Sequence, residues 1–211
     1  MSERLEALGR RFARLATRAV VARPSLWPLF RGPLRVQFDR LAPSWDDRRA
    51  LDALAPLEAA LERLDREPRR VLDVGTGTGK GARLVALRFP EAEVTGIDLS
   101  PAMVAEAQSL LPAELAGRVR FQVGDASAVP NENGAFDLVV LLNMIPFFAE
   151  LARVTAPGGT VVIVGSAGPE TPMYTPWGTL RRELARAGFE GFEELTAGEG
   201  DAFLARRRGP G

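Results

Sequence analysis

The first part of the chain has apolar residues at helical spacing, whereas the part from residue 70 onward has short continuous apolar runs. The helical positions are Leu5, Leu8, Phe12, Leu15, Ala19 and Val20. This spacing predicts an amphipathic helix over residues 3–22. Four prolines between residues 24 and 43 predict a mostly irregular segment with short helical turns. Residues 46–67 are helical in composition, with Pro56 as a break and restart.

Apolar or β-branched runs alternate with helical segments in the rest of the chain. The predicted strands are 71–74, 93–97, 119–123, 136–142, 160–164, 189–196 and 202–206. The main helices between them are expected to end near Leu87, Leu110 and Arg186. Ser100 and Thr175, each followed by proline, are expected to cap the second and third of these helices. Continuous apolar runs are typical of parallel strands that are covered on both faces.

This alternation predicts the fold class and the organisation of the chain. We expect an α/β fold, Rossmann-like and doubly wound, with a mostly parallel seven-stranded sheet, helices on both faces and an antiparallel last strand. An N-terminal helical cap, residues 1–47, would precede a single globular core, residues 48–211. Ligands of such sheets bind at the carboxyl ends of the strands.

The amino-acid composition limits the kinds of site and of catalytic residue that the protein can contain. The chain contains no cysteine and no histidine, so disulfides, thiolate metal sites and the commonest general base are excluded, and no metal site is expected. The net charge is zero, but residues 1–40 hold nine arginines against three acidic residues. An arginine-rich N-terminal segment of this kind can be a solvated helix face, or it can bind an acidic partner or an anionic membrane surface. With no secretory signal and no bilayer-length apolar run, a cytoplasmic location is expected.

A glycine-rich stretch, VLDVGTGTGKG at residues 71–81, contains the first predicted strand and the turn after it. It does not fit the phosphate-binding pattern G-x-x-x-x-G-K-[ST], because Val74 and Gly81 occupy the first and last positions. It fits the dinucleotide pattern G-x-G-x-x-A weakly from Gly77, with Asp98 at a suitable distance for a ribose diol. On the loop alone, an NAD(P)-dependent oxidoreductase therefore remains an alternative.

Five sequence motifs occur in order around this loop. They are DVGTGTG at 73–79, GIDLSPAM at 96–103, GDA at 124–126, FDLVV at 136–140 and LARVTAPGG at 151–159. Together they resemble the successive motifs of class I S-adenosylmethionine (SAM)-dependent methyltransferases, and the resemblance extends to about Arg206. Five ordered matches are more specific than any single glycine pattern.

The resemblance implies SAM as the cofactor and S-adenosylhomocysteine as the product. Glycines let the loop backbone approach the ligand. Asp73 would lie near the ligand's ammonium, Asp98 would accept from both ribose hydroxyls, and Asp125 would accept from the adenine amino group. Leu99 would lie against the adenine, and Asn143 near the sulfonium. The full set of predicted cofactor-binding residues is Asp73, Gly75, Thr76, Gly77, Gly79, Asp98, Leu99, Met103, Asp125, Ala126, Asn143, Phe38 and Trp45.

The segment FDRLAPSWD, residues 38–46, resembles the F-D-x-x-A-x-x-Y/W-D lid of many small-molecule methyltransferases, including quinone-biosynthesis C-methyltransferases. In that family the lid folds over the cofactor. Phe38 and Trp45 would then be aromatic walls, to which a cationic sulfonium is attracted. Both residues could equally pack the N-terminal helix onto the sheet, and the sequence leaves the two interpretations open.

These observations predict transfer of a methyl group from SAM, by in-line displacement, to oxygen or carbon of a small, hydrophobic or aromatic metabolite. Asp39 and Tyr174 are candidate catalytic bases, followed by Asp46 and Glu170, because they lie on segments expected to flank the acceptor pocket. Alternatives are the NAD(P)-dependent oxidoreductase and a SAM-binding module without transferase activity.

The expected partner is the small-molecule acceptor, with no nucleic acid. The stretch NMIPFF, from residue 143, does not match the N-P-P-F motif of methyltransferases that act on amino groups of nucleic acid or protein. A net charge of zero also counts against nucleic acid. A peripheral membrane contact through the arginine-rich N-terminal helix is a further expectation, and the protein would be a monomer or a homodimer.

Overall fold

A seven-stranded sheet forms the centre of the protein in a computed structural model that describes residues 3–46 and 53–209, with side chains from residue 7 onward. The strands are β1 Arg70–Val74, β2 Glu93–Asp98, β3 Val119–Val123, β4 Phe136–Leu142, β5 Thr155–Gly165, β6 Phe189–Ala197 and β7 Gly200–Arg207. Their order is β3-β2-β1-β4-β5-β7-β6. Only β7 is antiparallel to its neighbours, β5 and β6. The predicted fold class is therefore confirmed.

Helices cover both faces of this sheet. They are α1 Glu3–Ala22, α2 Trp27–Leu41, α3 Ala55–Leu61, α4 Lys80–Arg88, α5 Pro101–Ser109, α6 Phe148–Val154 and α7 Trp177–Arg186. In β4, Val139 and Leu141 belong to the buried cluster that contains residues of α1, α2, α6 and α7. Leu138 and Val140 point to the other face and belong to the cluster under α3, α4 and α5. Since a strand directs alternate side chains to opposite faces, a strand covered on both sides is continuously apolar.

The segment after α1 differs from the prediction. Instead of an irregular stretch it contains the continuous 15-residue helix α2, preceded and followed by the 3-10 turns Pro24–Leu26 and Ala42–Ser44. Pro28 lies in the first turn of α2, where a missing N–H costs nothing. Pro33 lies inside the helix, at a cost of about 3 kcal/mol. Burial of Trp27 and Leu34 on the sheet, each contributing roughly 1.5–3 kcal/mol, offsets that cost.

Three element boundaries also differ. The helix expected over 46–67 is present as α3, which ends at Leu61. Turns with hydrogen bonds between residues three apart then lead the chain toward β1. Residues 47–52 lie outside the described part. Strand β5 starts five residues earlier than predicted, because Thr155 pairs with Phe136 across an irregularity in the ladder. Ser100 caps α5 as expected, its hydroxyl accepting from the Met103 amide. Thr175 does not cap α7, whose N-cap is the next residue, a proline.

Candidate functional site

The glycine loop, the end of β2 and the end of β4 meet at one edge of the sheet. The amide of Gly77 donates to an Asp98 carboxylate oxygen at 2.9 Å, and the amides of Gly75 and Thr76 both donate to the Ile97 carbonyl. From the β4 side, the Met144 sulfur would lie 2.7 Å from a Cβ placed on Gly75. The sequence motifs are therefore brought together where ligands of this fold bind.

Three glycines of the loop have left-handed backbone conformations. The φ angles of Gly75, Gly77 and Gly79 are 70°, 55° and 81°, values that L side chains rarely adopt. A Cβ on Gly79 would also lie 2.6 Å from a ring atom of Phe121. Gly77 has more room, since the nearest atom to its added Cβ is the Trp45 indole nitrogen at 3.5 Å. The loop thus offers bare backbone on the side that faces the cap.

Asp73 lies buried beneath this loop. Its side chain is 1% exposed, and the Thr76 hydroxyl donates to Oδ2 at 2.6 Å. Oδ1 has no hydrogen-bond partner among the described residues. Burial raises the pKa of Asp73 from 3.8 to about 6, the charge of Asp98 adds to the increase, and the hydrogen bond from Thr76, with the Ala82 amide nearby, opposes it. A buried carboxylate oxygen without a donor is a fitting acceptor for the ammonium of SAM.

Asp98 ends β2 with its two oxygens turned toward backbone amides. Oδ2 accepts from Gly77 and Oδ1 from Ser100, both at 2.9 Å. Burial raises the pKa of Asp98, the amide hydrogen bonds counteract this, and the nearby Asp39 carboxylate raises it further. Each oxygen keeps a second lone pair, so the carboxylate can still accept from a ribose diol. Leu99 is half-buried beside it, and Met103 is buried in the first turn of α5.

Asp125, two residues beyond β3, is held by the cap. The Trp27 indole N–H donates to its two carboxylate oxygens at 2.8 Å and 3.0 Å, and an Arg31 guanidinium nitrogen lies 3.5 Å from Oδ2. The Ser127 amide and hydroxyl donate to Oδ1. No motif in the sequence indicates Trp27 or Arg31, because contacts between residues so far apart along the chain leave no local pattern. Ala126 beside Asp125 is buried.

The lid segment, residues 38–46, lies over the glycine loop. The Ser100 hydroxyl donates to Asp39 at 2.6 Å. The Thr78 hydroxyl donates to Asp46 at 2.6 Å, and the Lys80 ammonium lies 3.5 Å from the same oxygen.

Both lid carboxylates therefore anchor the lid to the loop and to α5. The rings of Phe38 and Trp45 meet edge to face with centroids 5.6 Å apart. Phe38 also packs against the apolar cluster under α1 and α2, so this ring serves the packing role that the sequence left open.

Asn143 connects the ends of β4 and β5. Its side-chain amide donates to the Ser166 hydroxyl at 2.9 Å, and its carbonyl oxygen accepts from the Ser166 amide at 2.8 Å. Its φ angle of 55° is the only positive value for a non-glycine residue in the described part of the chain. The Asn143 side chain therefore holds the ends of β4 and β5 together beside the loop. The only residue in the sequence that could have indicated this role is its partner, Ser166.

A small cavity lies on the other side of Met144, at the ends of β5 and β7. Its lining includes Met144, Gly165, Tyr174, Thr175, Trp177 and Asp201. Of the candidate bases, only Tyr174 faces it. Burial raises the pKa of Tyr174, and the adjacent Asp201 carboxylate raises it further. Glu170 is exposed and its side chain lies 3.9 Å from Arg14.

None of the helices in the described ranges, residues 3–46 and 53–209, is long and apolar enough to cross a membrane.

The chain is similar to known methyltransferases. A model of the methyltransferase domain family matches residues 71–159. Demethylmenaquinone methyltransferase of Thermus thermophilus is 43% identical over 109 residues, which are 48% of this chain and 49% of the relative. Tocopherol O-methyltransferase of Arabidopsis thaliana is 39% identical over 130 residues, 55% of this chain and 36% of the relative. Trans-aconitate 2-methyltransferase of Streptomyces avermitilis is 34% identical over 162 residues, 69% of this chain and 58% of the relative.

Solved structures show the same fold at lower sequence identity. One such structure is a complex between the Haloferax volcanii Trm112 methyltransferase activator and a methyltransferase. A chain of it superposes on this protein with a TM-score of 0.69 and 19% identity, over 81% of this chain and 97% of that chain. Haemonchus contortus phosphoethanolamine N-methyltransferase 2 with SAM gives a TM-score of 0.60 and 21% identity, over 72% of this chain and 52% of that chain.

The chain spans about half the length of the Thermus relative and little more than a third of the Arabidopsis one. The relatives are methyltransferases, so they lend no support to the dinucleotide interpretation of the glycine loop. The family match begins at β1 and ends within β5, and it includes the loop and the acidic residues that follow β2 and β3. Over residues 71–159 the chain is therefore similar to the methyltransferase domain family, in agreement with the resemblance of the ordered motifs.

Proposed function

We propose that the protein transfers the methyl group of SAM to oxygen or carbon of a small, hydrophobic or aromatic acceptor. The observation that carries this proposal is the unpartnered Oδ1 of buried Asp73 beneath a loop of left-handed glycines. A cationic amine satisfies that oxygen, whereas the pyrophosphate of a dinucleotide would be repelled by it. A methyl group on a sulfonium already has a good leaving group. The protein therefore mainly orients the acceptor and the methyl group and excludes water, which lowers the activation barrier by ~7–11 kcal/mol.

Each protein group has a role in this proposal. Asp98 accepts the ribose hydroxyls, and Asp125 accepts the adenine amino group in competition with Trp27. Trp45, above Gly77, is the aromatic wall nearest to the amino-acid end of the cofactor. The acceptor binds on the far side of Met144, where most of the side chains at the ends of β5 and β7 are apolar. The names of two relatives, a demethylmenaquinone and a tocopherol methyltransferase, support a small apolar acceptor, whereas the name of a third contains trans-aconitate, a small polar one.

Calorimetric titration with SAM and S-adenosylhomocysteine tests the proposal. We expect saturable binding of both, weakened tenfold or more (~1.4 kcal/mol) by Asp98→Ala. The matched control is Glu91→Gln, an exposed carboxylate near the opposite end of β2, which should leave the affinity unchanged. Absence of binding would contradict the proposal. Binding of both ligands with no methylated product from any aromatic hydroxyl or quinol would favour a SAM-binding module.

We also propose that the first two helices contact an anionic membrane surface. All eight arginines between residues 7 and 46 are exposed, whereas the two acidic residues of that stretch, Asp39 and Asp46, are hydrogen-bonded to the core. Large apolar side chains are exposed beside them, at seven-residue spacing on each helix. They are Leu8, Leu15, Leu29 and Val36, with 63%, 59%, 70% and 41% exposure. Apolar side chains flanked by cations suit an anionic interface, and in a cytoplasmic setting that is the inner leaflet.

Flotation with phosphatidylglycerol vesicles tests this contact. We expect wild-type protein to float with these vesicles and to remain behind with phosphatidylcholine or at 0.5 M salt. The double variant Leu15→Gln/Leu29→Gln should float less than the matched double variant Leu87→Gln/Leu110→Gln, whose side chains are exposed elsewhere on the molecule. Equal flotation of the two double variants would contradict the contact. Truncation of α1 is less suitable, because Ala13, Ala16 and Val20 are in the core.

A further inference from the structure

The cap makes polar contacts at two separate places on the ligand edge of the sheet. At the start of α2, the Trp27 indole N–H donates to Asp125, which follows β3. At the end of the lid segment, Asp46 accepts from the Thr78 hydroxyl and lies 3.5 Å from the Lys80 ammonium, at the glycine loop that follows β1. Both contacts therefore engage groups that belong to the proposed cofactor site.

Asp125 has little capacity to accept a further donor while Trp27 is bound to it. Oδ1 accepts from the indole at 2.8 Å and from the Ser127 amide and hydroxyl at 2.9 Å and 2.7 Å, which are more donors than its two lone pairs. Oδ2 lies 3.0 Å from the same indole nitrogen and 3.5 Å from an Arg31 guanidinium nitrogen. An adenine amino group can therefore bind only at Oδ2, and only when the indole N–H leaves that oxygen.

Lys80 is the corresponding group at the amino-acid end of the cofactor site. Asp73, proposed above to bind the ammonium, lies under the first turn of α4, since its Oδ2 would be 3.3 Å from a Cβ on Gly81. The ammonium and the carboxylate of the cofactor are attached to one carbon, so the carboxylate lies near the same turn. Helix α4 begins at Lys80, whose ammonium is paired with the Asp46 carboxylate.

We propose that the cap mimics the cofactor at both ends of its site. The Trp27 indole N–H takes the place of the adenine amino group on Asp125, and the Asp46 carboxylate takes the place of the cofactor carboxylate on Lys80. SAM binding therefore requires both contacts to exchange partners, so the cap lowers the affinity of the protein for SAM. The inference rests on the methyl-transfer function proposed above and adds an autoinhibitory contact to its cofactor site.

The two contacts differ in strength. Trp27 is 4% exposed, and its ring also packs edge to face against Phe147. The Asp46 and Lys80 side chains are each 32% exposed, so water and salt weaken their pair. The apparent dissociation constant for SAM rises as the inverse of the fraction of protein in which the cap has released its partners. We therefore expect Trp27 to contribute more of the inhibition than Asp46.

Ligands that lack one of the two groups test the mimicry in calorimetric titrations. Methylthioadenosine has the adenine but no carboxylate, and the deamino analogue of S-adenosylhomocysteine has purine in place of adenine. We expect Trp27→Phe to bind S-adenosylhomocysteine and methylthioadenosine at least about threefold more tightly than wild type, and the deamino analogue no more tightly. Asp46→Asn should bind S-adenosylhomocysteine and the deamino analogue more tightly, and methylthioadenosine no more tightly.

The gain from Asp46→Asn should also depend on Lys80. In Lys80→Met the substitution of Asp46 should give no further gain, whereas simple removal of a repelling charge would give the same gain with and without the lysine. The matched controls are Asp65→Asn, an ion-paired aspartate at the amino ends of the strands, and Trp177→Phe, and neither should change any of the affinities. Equal gains for all three ligands in Trp27→Phe, or a gain from Asp46→Asn that persists in Lys80→Met, would overturn the proposal.

Fluorine NMR of wild-type protein labelled with 5-fluorotryptophan follows the cap without relying on the stability of Trp27→Phe. The chain has three tryptophans, whose resonances are assigned with Trp45→Phe and Trp177→Phe. Saturation with S-adenosylhomocysteine should shift the Trp27 resonance, and saturation with the deamino analogue should leave it in place. Binding of S-adenosylhomocysteine without that shift would overturn this inference alone, whereas absence of binding would refute the proposed function as well.

Discussion

The Trp27 indole N–H lies 2.8 Å and 3.0 Å from the two carboxylate oxygens of Asp125. This contact joins the start of α2 to the loop after β3, on the carboxylate proposed to bind adenine. The indole ring also meets the Phe147 ring edge to face at 5.2 Å, so α2 is held at this end by packing and by a charge-assisted hydrogen bond.

Trp27→Phe keeps most of the ring packing and removes the donor. We expect the free energy of unfolding of the ligand-free protein to fall by about 1.5–3 kcal/mol, the usual contribution of a hydrogen bond to a charged group. Affinity for S-adenosylhomocysteine should rise severalfold, because the indole no longer competes for Asp125. Trp177→Phe is the control, since that ring lines the small cavity beyond Met144 and, among the described residues, makes no hydrogen bond with Asp125. A fall in affinity would instead make Trp27 part of the adenine site.

Asp73→Asn should stabilise the protein in a pH-dependent manner. The folded-state pKa of about 6 lies above the ordinary aspartate value of 3.8, so the folded state binds the proton more tightly and stability falls as pH rises between about 4 and 6. At pH 7.5 the ionised group costs up to about 3 kcal/mol, which the neutral amide avoids. Denaturation in urea at pH 7.5 and at pH 4 measures the difference.

The gain in stability from Asp73→Asn should be largest at pH 7.5 and nearly absent at pH 4. Affinity for SAM should fall, because the ammonium loses its counter-charge. A stability gain that is independent of pH would contradict the raised pKa, and unchanged affinity for SAM would contradict the ammonium contact.

Two glycine substitutions should have opposite effects on thermal stability. Gly79→Ala places a Cβ at a φ of 81° and 2.6 Å from the Phe121 ring, so we expect a loss of more than about 1–2 kcal/mol. Gly178→Ala lies in α7 with no atom within 4 Å of the added Cβ, and should stabilise by about 0.5–1 kcal/mol. Melting curves compare the two. Similar changes would mean that the loop conformation does not require glycine.

Asp39→Asn separates an anchoring role from a basic one. Because the Asp39 carboxylate accepts from the Ser100 hydroxyl, and an amide oxygen can do the same, we expect methyl transfer to stay within about threefold of wild type. Asp39→Ala should lose more activity and should couple to Ser100→Ala by about 0.5–3 kcal/mol in a double-mutant cycle of unfolding. A large loss in Asp39→Asn with normal folding would instead support the role of Asp39 as a base.

The central strands of the sheet could be predicted because burial on both faces leaves a local signature, a continuous apolar run. Each strand of the sheet overlaps a predicted apolar run, and Ser100 caps the helix that its position before Pro101 predicted. The lid over the glycine loop followed from the motif at 38–46. Helix α2 was missed because the rule for prolines is local, whereas the burial of Trp27 and Leu34 depends on strands far along the chain.

The detailed hydrogen bonding of the site was less accessible to sequence reasoning. A motif can indicate that Asp125 lies at the ligand edge, but not that Trp27 and Arg31 reach it from α2. It can indicate Asn143, but not that Ser166 takes up both ends of its amide. The meeting of Tyr174 and Asp201 at one small cavity likewise depends on β7 running opposite to β5, which places Asp201 beside Gly165.

That reversed strand has a consequence for how new substrate preferences could arise. Since β7 is antiparallel, its first residues and the tight turn before it lie at the ligand edge, whereas a parallel strand would bring its last residues there. The β6–β7 hairpin can therefore change in sequence and length at one end of the sheet while β1, β2 and β3 keep their geometry at the other. Under the proposed function, acceptor choice and cofactor retention are then separately evolvable traits, carried by opposite halves of a single sheet.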